Sequence, residues 1–153
     1  MYHILAGTGG CILNAAVFSS AWLICYRIAD HEAFTFELRG PGSFESRLAN
    51  YTKTAETLIG LSSGSVVLLA GSSILKSNGR LPWFYASPLA LLGMSVVCGI
   101  FFIGLLNFFY EGYLNFPNSY TRLKYSLVQA LGFSSLICFG LAYAWLVLTL
   151  TDH

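Results

Sequence analysis

Four stretches of this chain, residues 1–26, 57–75, 81–110 and 125–151, contain no Lys, Arg, Asp or Glu. The hydrocarbon core of a bilayer is ~30 Å thick, and about 20 apolar residues at the helical rise cross it, so each stretch is long enough to span. Backbone groups in lipid must be bonded within the segment, which leaves helices for runs of this length. The alternating ten-residue pattern of a membrane barrel is absent. A soluble helix of comparable length carries charge on its outer face, and these do not. Only 10% of all residues are charged and 56% are hydrophobic, against about 25% charged in a typical soluble domain. The pattern predicts an all-α fold, an integral membrane four-helix transmembrane bundle made of a single domain over residues 1–153. The helices are expected at about 4–28, 43–76, 84–110 and 120–150.

A cleaved signal sequence would place a basic residue ahead of its apolar stretch, and the first basic side chain is Arg27. The first run is therefore expected to stay as a helix. Gly40-Pro41-Gly42 closes the polar segment that follows, with Ser43 as N-cap and Glu45 in the first turn of the second helix, where an acid favours the helix dipole. No Pro or Gly interrupts Ser43 to Thr57, so that helix is expected to run from Ser43 to about Lys76, about 50 Å, with its first turns outside the hydrocarbon. Pro88 falls in the opening turns of the third helix, and residues 111–119 read as the next loop, with Asn115, Pro117 and Asn118.

Basic residues in short loops set orientation. Arg27, Arg39, Arg47, Lys53, Arg122 and Lys124 belong to the first and third connections, and only Lys76 and Arg80 to the second. This six-to-two excess places residues 29–42 and 111–119 in the cytoplasm and both termini on the non-cytoplasmic side.

The second helix holds the most informative pattern. Lys53, Glu56, Gly60, Ser63, Gly64 and Gly71 recur at helical spacing on nearly one face. Gly60 and Gly64 form a GxxxG, which lets two backbones approach closely in lipid, within a bundle or between subunits. The stripe Gly60, Ser63, Gly64 and Gly71 is the candidate packing or pore face, and Ser62, Ser63, Ser65, Ser72 and Ser73 are candidates to line a wet pathway through a homo-oligomer, since hydroxyls can replace water around an ion. Arg47, Lys53, Glu56, Glu111, Arg122 and Lys124 fall at one depth near the inner boundary. A carboxylate there needs a partner or water, so Glu56 is expected to pair with a cation of another helix, Arg122 or Lys124. The same charges, closed over by Tyr110, Tyr113 and Tyr120, are a candidate pocket for an anionic ligand. Asn14, Asn107 and Gln129 are expected to form interhelical hydrogen bonds.

Cys11, Cys25, Cys98 and Cys138 all lie within apolar runs, without a CxxC pair, and His3, His31 and His153 are far apart. Such thiols behave as small hydrophobes, and no metal site is expected. The net charge of +1 offers no basic surface for nucleic acid. Nucleophile elbows, P-loops, GxGxxG and HExxH are all missing, so nothing local argues for an enzyme or a cofactor.

The segment GPGSFESRLANYTKTAE, residues 40–56, resembles the GP-x-x-FER…N…E stretch that opens the second helix in the membrane-associated eicosanoid and glutathione metabolism family. FFYEGY, residues 108–113, is similar to the YFxGY that ends its third helix. The resemblance covers about twenty residues. It implies a trimer using glutathione at the cytoplasmic side, with Glu45, Glu56, Tyr110 and Tyr113 at motif positions. Ser46 stands where the family has Arg, Lys53 where it has Asn, FFYEGY carries one extra residue, and the region between the second and third helices is longer.

Two functions are therefore expected. In the first, a non-enzymatic membrane component self-associates in the lipid bilayer as a pore, a membrane effector, or a sensor or accessory subunit, with the 29–42 loop available to a cytoplasmic protein partner. The alternative is a membrane-embedded glutathione-using transferase.

Overall fold

A computed structural model describes residues 2–28, 36, 44–71, 83–116 and 120–151. It is all-α, with four helices: α1 (Tyr2–Ile28), α2 (Phe44–Gly71), α3 (Trp83–Asn115) and α4 (Arg122–Thr151). Each corresponds to one of the four expected segments. Among the described residues, Ala86–Asn115 and Arg122–Leu148 are long and apolar enough to cross a membrane, and Ala15–Ile28 is a shorter apolar stretch. The 29–42 loop, apart from Phe36, and the expected cap at Ser43 lie outside the described residues, as do Ser72, Ser73 and Lys76.

The third helix runs further than expected. Glu111 to Asn115 are helical, with the Asn115 side-chain amide donating to the Glu111 carbonyl at 3.1 Å. Gly112 costs a helix only about 1 kcal/mol, and Tyr113 beside it is buried, which offsets that cost. Pro117 supplies the stop, since the residue before a proline is pushed out of the helical region. Tyr120, expected inside the fourth helix, precedes it. The Thr121 carbonyl accepts the Tyr125 N–H at 3.0 Å, so α4 begins there, with Thr121 as its cap residue.

The helices alternate in direction. α3 and α4 form the central pair, α2 packs mainly on α3, and α1 packs on α4 and less closely on α3. Two apolar layers fill the interior. One joins Leu91 and Leu92 of α3 to Cys138, Ala142 and Leu146 of α4, with Val66 and Leu69 of α2 against them. The other gathers Phe36, Leu106, Tyr113, Tyr120 and Val128 at the opposite end.

Between these layers lies a hydroxyl layer. The buried Ser62 of α2 donates to Ser95 Oγ of α3 at 3.4 Å. Ser95 donates to the Ser135 carbonyl of α4, and Ser135 donates back to the Ser95 carbonyl, each at 2.8 Å. Buried hydroxyls are costly unless bonded, and here they bond each other across three helices. The approach is close because the neighbours are small. A Cβ added at Gly99 would stand 3.0 Å from Ile59 Cγ1 and 3.3 Å from Ser135 Oγ, and one added at Gly132 would stand 3.0 Å from the Phe102 ring.

Candidate functional site

Ser62 and Ala55 mark the side of α2 that is buried in the bundle. At 100° per residue, Gly60, Gly64 and Gly71 lie on the opposite side. All three are exposed, and a Cβ at any of them would meet no atom within 4 Å. Among the described residues the GxxxG stripe therefore points away from the bundle and takes no part in its packing. Exposed Lys53 shares that outward side, while Ser63 is half-buried and sits off its centre. Large apolar side chains nearby, including Val67 and Leu68, are likewise exposed.

The serines of α2 do not share one direction. Ser62 enters the hydroxyl layer, Ser65 bonds the Leu61 carbonyl and the Tyr143 phenol of α4, and Ser63 lies between the packed and open sides. Their hydroxyls thus diverge instead of lining one path.

Most of the expected charge cluster is brought to one end of the bundle, but by aromatic contacts and without the expected pairing. Arg47, Lys53, Glu56 and Glu111 are exposed, and Arg122 and Lys124 are half-buried. Among the described residues no ion pair joins Glu56 to another helix. Arg122 instead turns to α1, donating through Nε at 3.1 Å and a terminal guanidinium nitrogen at 2.5 Å to the Tyr26 carbonyl. Its guanidinium also lies 4.4 Å from the centre of the Tyr26 ring. The last four carbonyls of a helix have no partner within it, so Arg122 caps α1 while the ring holds its cationic plane. Lys124 Nζ lies 5.5 Å from the centre of the Phe109 ring. Arg122→Lys keeps the charge and loses the fork, and is expected to lower stability by about 1–2 kcal/mol. A melting curve in detergent measures it, and an unchanged midpoint would show that the cap contributes nothing.

The three tyrosines expected to close an anion pocket surround a side chain. The Phe36 ring centre is 5.4 Å from Tyr110, 5.2 Å from Tyr113 and 4.3 Å from Tyr120, with Phe44 at 4.8 Å. Three of these contacts are edge-to-face and the one to Tyr120 is tilted, and together they anchor the residue that sequence alone placed within a polar loop. Burial pushes the Tyr120 phenol above its ordinary range, and nearby Tyr125 adds to this, so Tyr120 stays neutral in this cluster.

The amides also depart from expectation. Asn107 and Gln129 are half-buried, and neither has a hydrogen-bond partner among the described residues. The side chain of Asn14 lies outside them. Cys25, Cys98 and Cys138 are buried thiols outside any disulfide. Among the described residues, no three His, Cys, Asp or Glu side chains come together.

The chain matches no protein-family model, no curated protein and no solved structure. The resemblance to the eicosanoid and glutathione family thus rests on its two short motifs.

Proposed function

We propose that this is a small multi-pass membrane protein whose four helices each cross the bilayer, and whose copies associate through the outward side of α2. It works without catalysis, as a membrane effector or as a sensor or accessory subunit for another protein. The observation that carries this reading is the open Gly60, Gly64 and Gly71 stripe. Glycines in a row let helices approach closely in lipid, and among the described residues nothing occupies that space. The divergence of Ser62, Ser63 and Ser65 favours an effector or accessory role over a pore lined by them. The Phe36 ring seated among Tyr110, Tyr113 and Tyr120 favours a packed cluster over the substrate pocket that a glutathione-using transferase needs. In this reading the 29–42 loop faces the cytoplasm and is where a soluble partner would dock.

Cysteine labelling tests the crossing pattern. With Cys11, Cys25, Cys98 and Cys138 replaced by alanine, Ser77→Cys and Ser119→Cys should react with an impermeant maleimide from opposite sides of sealed vesicles, position 119 on the cytoplasmic side. Reaction of both from one side would sink the four-crossing topology.

A further inference from the structure

Two furrows run along the outward side of α4, divided by a shared ridge. One, about 270 Å³, lies towards α2, over Tyr51, Leu58 and Leu136. The other, about 380 Å³, lies towards α1, over Ala21 and Ile137. Gln129 and Phe133 line both. Phe133 is the partition, and Gln129, one turn closer to the start of α4, stands at the junction.

Gln129 has no hydrogen-bond partner among the described residues, and a carboxamide inside an apolar span is costly without one. Its polar neighbours are already engaged: the Thr54 hydroxyl donates to the Asn50 carbonyl, and Ser135 to that of Ser95. The Tyr51 phenol, at the head of the α2-side furrow, has ring contacts but no hydrogen bond among the described residues. Among the described residues no charged side chain lines either furrow, and Arg122, at the same end of the bundle, is committed to Tyr26. Both furrows start at the tyrosine-rich end and run towards the apolar middle.

From this geometry we propose that the outward side of α4 binds a two-chain uncharged glycerolipid of the diacylglycerol class. The carboxamide both donates and accepts, so Gln129, with Tyr51, meets the ester carbonyls and free hydroxyl, and the two acyl chains lie in the furrows astride Phe133. Among the described residues neither furrow offers a cation to a phosphate, which favours an uncharged head, and the polar-to-apolar direction matches a lipid standing in that leaflet. The site rests on the four-crossing reading of the chain.

The full chain in phosphatidylcholine vesicles, exposed to a diacylglycerol carrying a photoreactive group in one acyl chain, should be labelled saturably on both α1 and α2. Excess unlabelled dioleoylglycerol should compete. Gln129→Leu should cut labelling about three- to tenfold, the range expected for a hydrogen bond between membrane helices. Ile137→Trp, which fills the α1-side furrow and leaves Gln129 intact, should abolish labelling of α1 and spare that of α2. Carbonate washing of the same membranes separates the two readings. A chain that washes out overturns both. A chain that stays, but labels without saturation, labels equally with a photoreactive phosphatidylcholine, or labels unchanged in Gln129→Leu, overturns the lipid site alone.

Discussion

Replacing Gly60 and Gly64 together by leucine is expected to reduce the assembled protein to single copies while leaving each copy inserted and folded. Both glycines are exposed with open space in front of them, so the new side chains meet nothing within their own chain. In an assembly held by backbone proximity, two leucines force the facing helices apart. Overpacking of a close interface costs about 1–3 kcal/mol, so a fall in the association constant of about five- to 150-fold is expected. Mass photometry in nanodiscs reads the subunit number, and a melting curve reads the fold. A double variant with an unchanged count would remove the stripe as an assembly face, and with it the main support for self-association.

The opposite behaviour is expected of Gly99→Leu. The first atom of that side chain already stands 3.0 Å from Ile59 and 3.3 Å from the Ser135 hydroxyl, and the rest of a leucine occupies the space where α2, α3 and α4 meet. Either α2 is pushed off α3 or the Ser95 and Ser135 bonds open. The expected loss is about 1–3 kcal/mol of stability, seen as a lower melting midpoint with the subunit count preserved at temperatures below it. Gly140→Leu, at an exposed position with nothing within 4 Å, is the matched control and should melt close to the parent. Equal melting of the two variants would mean that the layer around Gly99 yields easily.

These two glycine classes show where sequence reading succeeds and where it stops. The absence of charge over long runs predicts four helices, and four are found with starts and ends shifted by a few residues. The small-residue stripe on α2 is visible from spacing within one helix, but spacing does not say whether a small face turns inward or outward, because close approach is useful in both places. The inward contacts use Ser62 of α2, Ser95 and Gly99 of α3, and Gly132 and Ser135 of α4, no more than two small residues on any one helix, so the layer exists only once three helices are brought together. Charge pairing failed as a guide for a similar reason. Glu56 suggested a cation partner, but Arg122 bonds a backbone carbonyl, a group that every residue carries and no sequence distinguishes. Phe36 was hidden among polar neighbours in a segment read as a loop. Its value comes from three tyrosines far away in the chain.

The reciprocal bonds of Ser95 and Ser135 bear on how α3 and α4 find their alignment. Faces rich in leucine, valine and phenylalanine make similar contacts at several offsets, so greasy surface alone tolerates sliding. If α4 slips by one turn in either direction, Leu131 or Phe139 arrives opposite Ser95. Two hydroxyls are then stranded among apolar side chains, and a bulky group enters a gap sized for oxygen. The penalty falls on every misaligned hairpin and spares the aligned one. Because α3 and α4 follow each other closely in the chain, this proofreading can finish within a single hairpin before α1 and α2 settle against it.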